Sequence, residues 1–333
     1  MIVVDRLEQL PLPGGRRMVA TIGFYDGLHR GHQAILAEVV RRARESGVPA
    51  AVVTFEPHPL RVLAPERAPR LLLTDDQKIS LLERAGLDLA VFLPFDRPMA
   101  AMPAEVFARE VVGGRLRASQ VLVGSNFRFG RGRAGDVPLL ARVGTEFGFT
   151  AEALDAVLDG GLPISASRIR RELADGDVAE AARLLGRPFA LAGTIVHGEG
   201  RGGKVVVATA NLAPENEFLP ARGVYITRLV WPGDRREGLT NVGTRPTFGA
   251  DRITVETHLP GFEGDLYGER AELEFLARLR DERLFPTPAD LVAQIRRDLE
   301  AFEAWKASQR SPDPARAPVA PGKAPVPRSR AME

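Results

Sequence analysis

The stretch Thr21–Ile35 limits the fold most strongly, because it has the pattern of a strand, a glycine-rich turn and a helix start. An apolar run ends at Gly23, and an Asp-Gly pair, typical of turns, follows it. After the turn, apolar residues recur on one helical face, namely at Ile35, Leu36, Val39 and Val40. His29 and His32 are therefore expected at or just before a helix N-terminus, where free N–H groups and the helix dipole favour an anion.

Two histidines at such a place predict phosphate chemistry, because imidazole donors can hold a phosphate and neutralise charge that develops on it. Two other interpretations are open. The histidines can be ordinary loop residues, or they can belong to a metal site, which needs three or four ligands from a chain with five His and no Cys. The lysine of a phosphate-binding Walker loop is missing, so the stretch is not a P-loop.

Composition favours a two-domain globular protein. The 333 residues are enough for two hydrophobic cores. Apolar residues make up 44% and charged residues 26% of the chain, as in soluble proteins, and no apolar run has the length of a membrane span. The N-terminus lacks the pattern of a signal peptide, and the absence of Cys fits a reducing compartment. We therefore expect a cytoplasmic protein without a membrane partner.

The positive charge of the chain is concentrated at its end. The segment Ala307–Glu333 contains five Lys and Arg against two acidic residues, which accounts for the formal net charge of +2. Its six prolines and few large apolar residues predict a disordered basic tail. The rest of the sequence shows no cluster of basic residues, so no nucleic-acid partner is expected.

The first half of the chain predicts an α/β domain with a Rossmann-like parallel sheet. Nearly continuous apolar runs suit strands that are covered on both faces. They are expected at Met18–Gly23, Ala50–Phe55, Leu89–Leu93 and Val121–Val123. Helical patterns alternate with them at about Gly31–Ser46, Thr74–Ala85, Pro103–Val112 and, further on, Val178–Leu185. Ligands of such sheets bind outside the carboxyl ends of the strands.

Beyond Gly186 the pattern changes to short strands separated by turns, which indicates a mainly antiparallel β-barrel. The expected strands are Ala190–Val196, Val205–Ala208, Gly223–Trp231, Gly238–Val242, Thr254–Leu259 and Ala271–Leu279. A last helix is expected at Pro288–Lys306. The predicted domains are therefore residues 1–186, 187–306 and a tail at 307–333.

Four motifs in the first half resemble those of the flavin adenylyltransferases. G-F-Y-D-G-L-H-R-G-H is similar to the family signature G-x-F-D-G-x-H-x-G-H, with Tyr25 in place of Phe. T-F-E-P-H-P, G-S-N-F-R-F-G and I-S-A-S-R-I-R resemble three further motifs, although Ala166 replaces a family Ser. In the last motif, Ser165 or Ser167 also fits the cap of a helix.

The resemblance implies a role for particular side chains. The expected catalytic residues are His29 and His32. The nucleotide would be bound by Gly23, Phe24, Asp26, Ser167 and Arg170, of which Ser167 and Arg170 would hold phosphates. The flavin would contact Phe55, Pro57, His58, Asn126 and Phe127.

Three stretches of the second half resemble bacterial riboflavin kinase. They are Gly198–Leu212, Asn241–Phe248, and Asp265–Gly268 together with Leu279–Glu282. The resemblance implies Thr209 and Asn211 as Mg2+ ligands and Glu256 as the general base. It also implies that Gly198 binds nucleotide and Arg280 binds flavin. The first stretch departs from the family pattern at Gly203, Val206 and Ala208.

Taken together, residues from about 15 to 306 resemble the bifunctional riboflavin kinase/FAD synthetase family. This resemblance implies that riboflavin and ATP give FMN and ADP in the barrel, and that FMN and ATP give FAD and pyrophosphate in the α/β domain, with Mg2+ as cofactor. Two alternatives are a monofunctional FMN adenylyltransferase with a degraded barrel and a flavin-binding regulator without turnover. The pattern leaves the oligomeric state open.

Overall fold

A six-stranded parallel sheet is built from the first half of the chain, in a computed structural model that describes residues 1–10, 17–197, 209–247 and 250–310. The strand order is β1-β4-β3-β2-β5-β6, and every neighbouring pair is parallel. The strands are β1 (Ile2–Val4), β2 (Met18–Ile22), β3 (Ala50–Glu56), β4 (Leu89–Pro94), β5 (Ala118–Gly124) and β6 (Thr150–Leu154).

The chain winds outward from β2 in both directions, through β3 and β4 on one side and β5 and β6 on the other. All five residues of β2 are buried, because apolar clusters cover both faces of the sheet. This confirms the predicted Rossmann-like arrangement. The crevice outside the carboxyl ends of β2 and β5 is the switch point at which such sheets bind ligands.

The helices described in this part include the predicted ones at about residues 31–46, 74–85 and 178–185, together with others that the periodicity did not predict. They are α1 (Arg30–Ser46), α2 (Pro59–Leu63), α3 (Asp75–Arg84), α4 (Arg97–Ala101), α5 (Ala104–Val106), α6 (Val137–Phe147), α7 (Ala166–Asp175) and α8 (Val178–Leu185). The helix predicted at Pro103–Val112 is instead the short α5 continued by a π-helix, Phe107–Arg115. A two-stranded hairpin, β7 (Leu158–Asp159) and β8 (Leu162–Pro163), precedes α7.

The second half forms a closed antiparallel barrel, as predicted, with the order β10-β13-β12-β11-β14-β9. Its strands are β9 (Phe189–Val196), β10 (Thr209–Pro214), β11 (Gly223–Trp231), β12 (Asp234–Thr247), β13 (Ala250–His258) and β14 (Arg270–Arg280). Inside it, the buried hydroxyls of Thr227, Thr240 and Thr257 bond to one another at 2.6 and 2.8 Å. The strand predicted at Val205–Ala208 lies outside the described residues.

A buried amide pair connects the sheet and the barrel. Asn216, which follows β10, accepts from the Ala192 N–H at 2.7 Å and donates to the Leu72 carbonyl at 3.0 Å. It also donates to Oε1 of Gln77 at 2.8 Å, and Gln77 donates to the Ala190 carbonyl at 3.2 Å. Both side chains are buried, so these bonds hold β9 against the segment that leads into α3.

By the density of contacts the chain divides into two units, Met1–Arg283 and Leu284–Glu333. The second contains the predicted last helix, α9, which spans Pro288–Arg310. The domain boundary at 186/187 stays a prediction. The tail was predicted from residue 307, but α9 continues to Arg310, and residues 311–333 lie outside the described residues. In the part of the chain that the structure describes, no helix is both long and apolar enough to cross a membrane.

Candidate active site

A cavity of about 700 Å³ lies at the carboxyl ends of β2, β3 and β5. Eight of the residues that the sequence assigns to the adenylyltransferase site line it, namely Phe24, Asp26, His29, His32, His58, Asn126, Ser167 and Arg170. They come from segments that are far apart in the chain. The sheet brings them together because parallel strands end at the same edge.

The turn between β2 and α1 has an unusual backbone. Tyr25, Gly27 and Leu28 have φ values of 57°, 75° and 42°, in the left-handed region. The hydroxyl of Tyr25 is fixed by a hydrogen bond to Thr21 Oγ1 at 2.5 Å. The turn delivers His29 to the N-cap of α1, which confirms the predicted strand, turn and helix.

The two histidine rings stack on each other. Their centroids are 3.7 Å apart and their planes differ by 18°. Nδ1 of His29 accepts a hydrogen bond from the His32 backbone N–H at 3.3 Å, so a neutral His29 has its proton on Nε2. One nitrogen therefore caps the helix, and the other is available as a donor.

Both imidazoles are held in the neutral form. Burial lowers the pKa of His29 to about 4, and the Arg187 guanidinium acts in the same direction. Burial also lowers the pKa of His32 well below its usual range, helped by His29 and Lys78. Nδ1 of His32 is buried and has no hydrogen-bond partner among the described residues. Protonation of this nitrogen would therefore create a buried N–H without an acceptor.

Asp26 holds other parts of the site in place. Its carboxylate accepts from the Leu72 N–H at 3.0 Å and forms an ion pair with Arg170. Nε of Arg170 also donates to the Arg70 carbonyl at 2.8 Å. Burial raises the pKa of Asp26, while Arg170 opposes this shift. The predicted phosphate ligand Arg170 is thus fixed at the cavity from two sides.

The start of α7 supplies hydroxyl groups to the same cavity. Ser165, rather than Ser167, is the N-cap, and its Oγ accepts from the Arg168 N–H at 3.2 Å. Ser167 is therefore not used as the cap, and it lines the cavity. The Arg168 guanidinium donates to the Asp159 carbonyl and to Glu180. These bonds connect α7 to the preceding hairpin and to α8.

His58 lies at the end of β3 and caps α2. Its Nδ1 accepts from the Leu60 N–H at 3.1 Å, and its ring meets Phe24 edge-on with centroids 4.2 Å apart. Burial lowers the pKa of His58 to about 4, and Arg170 adds to this shift. Another neutral ring thus lies against the wall of the cavity.

Lys78 on α3 is a buried cation that the sequence analysis missed. Its Nζ donates to Thr54 Oγ1 at 2.8 Å and lies 4.5 Å from the centroid of the Phe24 ring. Burial lowers its pKa to about 8, although the Asp26 carboxylate opposes the shift. Lys78 precedes the buried Leu82 by one helical turn, and this position on an apolar face was the available signal.

Four predicted residues are not brought to the wall of this cavity. Gly23 lies next to it, and a Cβ there would come within 2.9 Å of the Tyr25 ring. Phe55 and Phe127 pack against the apolar core, and Phe127 stacks on Phe129 with centroids 5.4 Å apart. Pro57 lies between β3 and α2. Their flavin and nucleotide contacts stay predictions.

The residues assigned to the kinase are adjacent on the barrel. In the strand register Glu256 on β13 lies opposite Asn211 on β10 and opposite Asn241 on β12. Thr209 is two positions from Asn211 and faces the same side of the sheet, away from the buried Leu212. The candidate metal ligands and base therefore share one face of the neighbouring strands β10 and β13, with Asn241 beside them on β12.

Glu282 lies close to this face. Its Oε1 accepts from the Thr244 N–H at 3.3 Å, and a Cβ on Gly243 would approach it to 2.2 Å. Arg280 at the end of β14 pairs with Val224 in the register of β11. Gly198 and the departures at Gly203, Val206 and Ala208 lie outside the described residues.

The first half is a parallel sheet with paired histidines at its switch point. The second half is a closed barrel with the row Asn211, Glu256 and Asn241 across three strands. This combination defines a two-part nucleotide-handling protein. The comparisons with known proteins agree. A family model for FAD synthetase matches residues 14–168, and one for riboflavin kinase matches residues 185–306.

Two curated relatives carry the name bifunctional riboflavin kinase/FMN adenylyltransferase. The protein from Escherichia coli K12 is 37% identical over 89% of this chain and 94% of its own. The one from Pseudomonas fluorescens is 38% identical over 89% of this chain and 95% of its own. The chain belongs to the family of bifunctional riboflavin kinase/FMN adenylyltransferases.

A solved structure shows that the whole fold occurs elsewhere. It is a crystal structure described as a macrolide-efflux protein from Streptococcus pneumoniae, with a TM-score of 0.81 and 27% identity. The match covers 91% of this chain and 99% of that one. The likeness therefore extends over both the sheet and the barrel.

Proposed function

We propose that this chain makes FMN from riboflavin and FAD from FMN, using ATP in both reactions, and that each half carries one site. The observation that carries the proposal is the stacked pair His29 and His32 at the N-terminus of α1, on a cavity of about 700 Å³. The histidine pair lies in the half that matches FAD synthetase. The row Asn211, Glu256 and Asn241 lies in the half that matches riboflavin kinase.

In the adenylyl transfer, a phosphate oxygen of FMN attacks the α-phosphorus of ATP. The bond to the bridging oxygen breaks, and pyrophosphate leaves. The N–H groups of His29 and His32 donate to the α-phosphate oxygens as negative charge builds up there. Arg170 and Ser167 hold phosphate oxygens, since a guanidinium and a hydroxyl at a helix start suit that task.

In the kinase reaction, the terminal hydroxyl of riboflavin attacks the γ-phosphorus of ATP, and ADP leaves. Glu256 accepts the hydroxyl proton. A carboxylate can act as such a base when it lies within hydrogen-bond distance of the hydroxyl. Asn241 lies opposite Glu256 in the strand register, which supports a role for it in orienting the carboxylate. Positioning supplies most of the catalysis in phosphoryl transfer.

The residues present fit a magnesium ion. Thr209 and Asn211 offer a hydroxyl and an amide oxygen, the hard donors that Mg2+ prefers, on one face beside Glu256. When bound with ATP, the ion would neutralise phosphate charge. Thr209 and Asn211 would fix its place relative to the base.

Product analysis tests the proposal directly. The purified chain is incubated with Mg-ATP and either riboflavin or FMN, and flavins and pyrophosphate are quantified. We expect FMN and FAD from riboflavin, and FAD with one equivalent of pyrophosphate from FMN. Absence of FAD from the FMN reaction would contradict the assignment of the histidine cavity, and absence of FMN from riboflavin would contradict that of the barrel.

A further inference from the structure

The left-handed turn that presents His29 needs support from outside itself. Tyr25 and Leu28 carry side chains, and residues with side chains rarely adopt positive φ. The carbonyl groups of Gly27 and Leu28 accept hydrogen bonds from side chains. The conformation therefore depends on the side chains that bind these carbonyls.

Arg187 is the main partner of these carbonyls. One guanidinium nitrogen donates to the Gly27 carbonyl at 2.8 Å, and the other to the Leu28 carbonyl at 3.2 Å and the Leu185 carbonyl at 3.4 Å. Gln33 parallels it, because its Nε2 donates to the Leu28 and Leu185 carbonyls at 2.8 and 2.7 Å. Together the two side chains connect the turn to the last residue of α8.

The guanidinium of Arg187 is half-buried and forms no ion pair in the described ranges of the chain. Three carbonyl oxygens and the negative end of the α8 dipole compensate its charge instead. Burial lowers the pKa of Arg187 to about 10, so the group stays charged at neutral pH. The Glu272 carboxylate opposes this shift, but the hydrogen bonds of the guanidinium go to carbonyl oxygens, so these bonds hold the buried cation in place.

The same charge acts on His29. After burial, Arg187 is the next cause that lowers the pKa of this histidine. The other charged or titratable groups around the turn and the guanidinium are His32 on α1, Asp26 in the turn, Arg170 on α7, Lys78 and Arg84 on α3 and Glu272 on β14. Arg187 is the only one of these that both touches the turn and lowers the pKa of His29.

We propose that Arg187 is a positioning residue for adenylyl transfer, which fixes the turn that presents His29 and keeps a permanent positive charge beside that imidazole. The inference rests on the proposed function of this cavity. Arg187 lies one residue beyond the predicted domain 1–186. The site therefore depends on a side chain that the sequence pattern assigns to the other half.

Three variants separate geometry from charge. Arg187→Met removes both the donors and the charge at similar length. Arg187→Lys keeps the charge, but a single ammonium cannot span the carbonyls as a guanidinium does. Gln33→Met removes the parallel donors and leaves the charge of Arg187 in place.

The readouts are kcat and KM for FAD formation from FMN, the rate of riboflavin phosphorylation in the same preparation, and the NMR titration of His29. The chain has five histidines, so the ring signals are few. The signal of His29 is identified by its loss in His29→Asn. Riboflavin phosphorylation reports on folding, because its residues lie on the barrel.

We expect Arg187→Met to lower kcat for FAD formation at least tenfold, with little change in KM for FMN and with phosphorylation within twofold of wild type. His29 should titrate at higher pH in this variant. Arg187→Lys should lower kcat less and leave the titration unchanged. Gln33→Met should lower kcat without moving the titration.

An Arg187→Met protein with wild-type kcat for FAD formation and an unmoved His29 titration would overturn the inference. If that variant does not fold, a wild-type kcat in both Arg187→Lys and Gln33→Met would overturn it. A wild-type protein that makes no FAD would instead refute the proposed function. The titration of His29 in Arg187→Met still tests the inferred placement in that case.

Discussion

A buried neutral imidazole can donate a hydrogen bond to a phosphate without bringing a full charge that needs its own partner. His29 and His32 are in this state because burial disfavours the imidazolium form of each. His29 combines two tasks, since its Nδ1 caps α1 while Nε2 carries the proton. One side chain thus caps the helix and keeps a donor for the cavity.

This state predicts how stability depends on pH. The pKa of His29 is about 4 in the folded protein against 6.5 ordinarily, so the unfolded chain binds the proton more readily. The stabilising contribution is present above about pH 6.5 and is lost as the pH falls toward 4, about 3 kcal/mol in all. Urea unfolding at pH 7, 6, 5 and 4.5 measures it.

His29→Asn is the matched comparison, because asparagine can cap a helix and does not titrate. We expect its free energy of unfolding to fall less steeply than that of the wild type between pH 6.5 and 4. Parallel profiles for the two proteins would show that His29 does not carry this pH dependence.

At the scale of elements, the segment from Leu72 into α3 links the barrel to the cavity. Its backbone holds Asp26, which fixes Arg170, and its Gln77 bonds to Asn216. Asn216 in turn binds β9 through Ala192. A change in this amide pair is therefore expected to affect both halves of the chain.

Asn216→Leu should lower the free energy of unfolding by about 2–4 kcal/mol, because it leaves several buried polar groups without partners. Urea unfolding at pH 7 measures this loss. Asn216→Asp keeps the acceptor for the Ala192 N–H but buries a charge and sets an oxygen against the Leu72 carbonyl and Gln77 Oε1, so it should cost at least as much. In a double-mutant cycle with Gln77→Leu, the two losses should be less than additive. Strict additivity would show that the two side chains act independently.

The elements that the sequence predicts well are those with a strong local pattern. The strand, turn and helix around His29 and the buried strands of the sheet follow from apolar periodicity, and the structure confirms them. The edge strand β6 was missed because it is largely exposed and lacks an apolar run. The π-helix at Phe107–Arg115 was missed because its residues have an ordinary helical pattern.

The parts of the site that the sequence did not predict depend on long-range contacts. Lys78 meets Thr54, and Arg187 meets Gly27, across 24 and 160 residues of chain. No spacing rule connects such positions. Motif resemblance identified eight of the residues that line the cavity, whereas Lys78 and Arg187, which hold other groups in place, could be found only from the fold.

At the scale of the whole molecule, two reactions in sequence are assigned to two separate sites. Under the proposed assignment, the product of the barrel reaction, FMN, is the substrate of the histidine cavity. Because the two sets of residues do not overlap, damage to one site should leave the chemistry of the other intact. This separation is the central claim.

The most direct test gives each of two variants both flavins with Mg-ATP. His29→Ala should convert riboflavin to FMN at the normal rate. Its activation free energy for FAD formation should rise by about 3–4 kcal/mol, the usual effect of removing one preorganised donor. Glu256→Gln should make no FMN from riboflavin, yet convert supplied FMN to FAD at the wild-type rate. Near-wild-type FAD formation by His29→Ala, or normal phosphorylation of riboflavin by Glu256→Gln, would contradict the account.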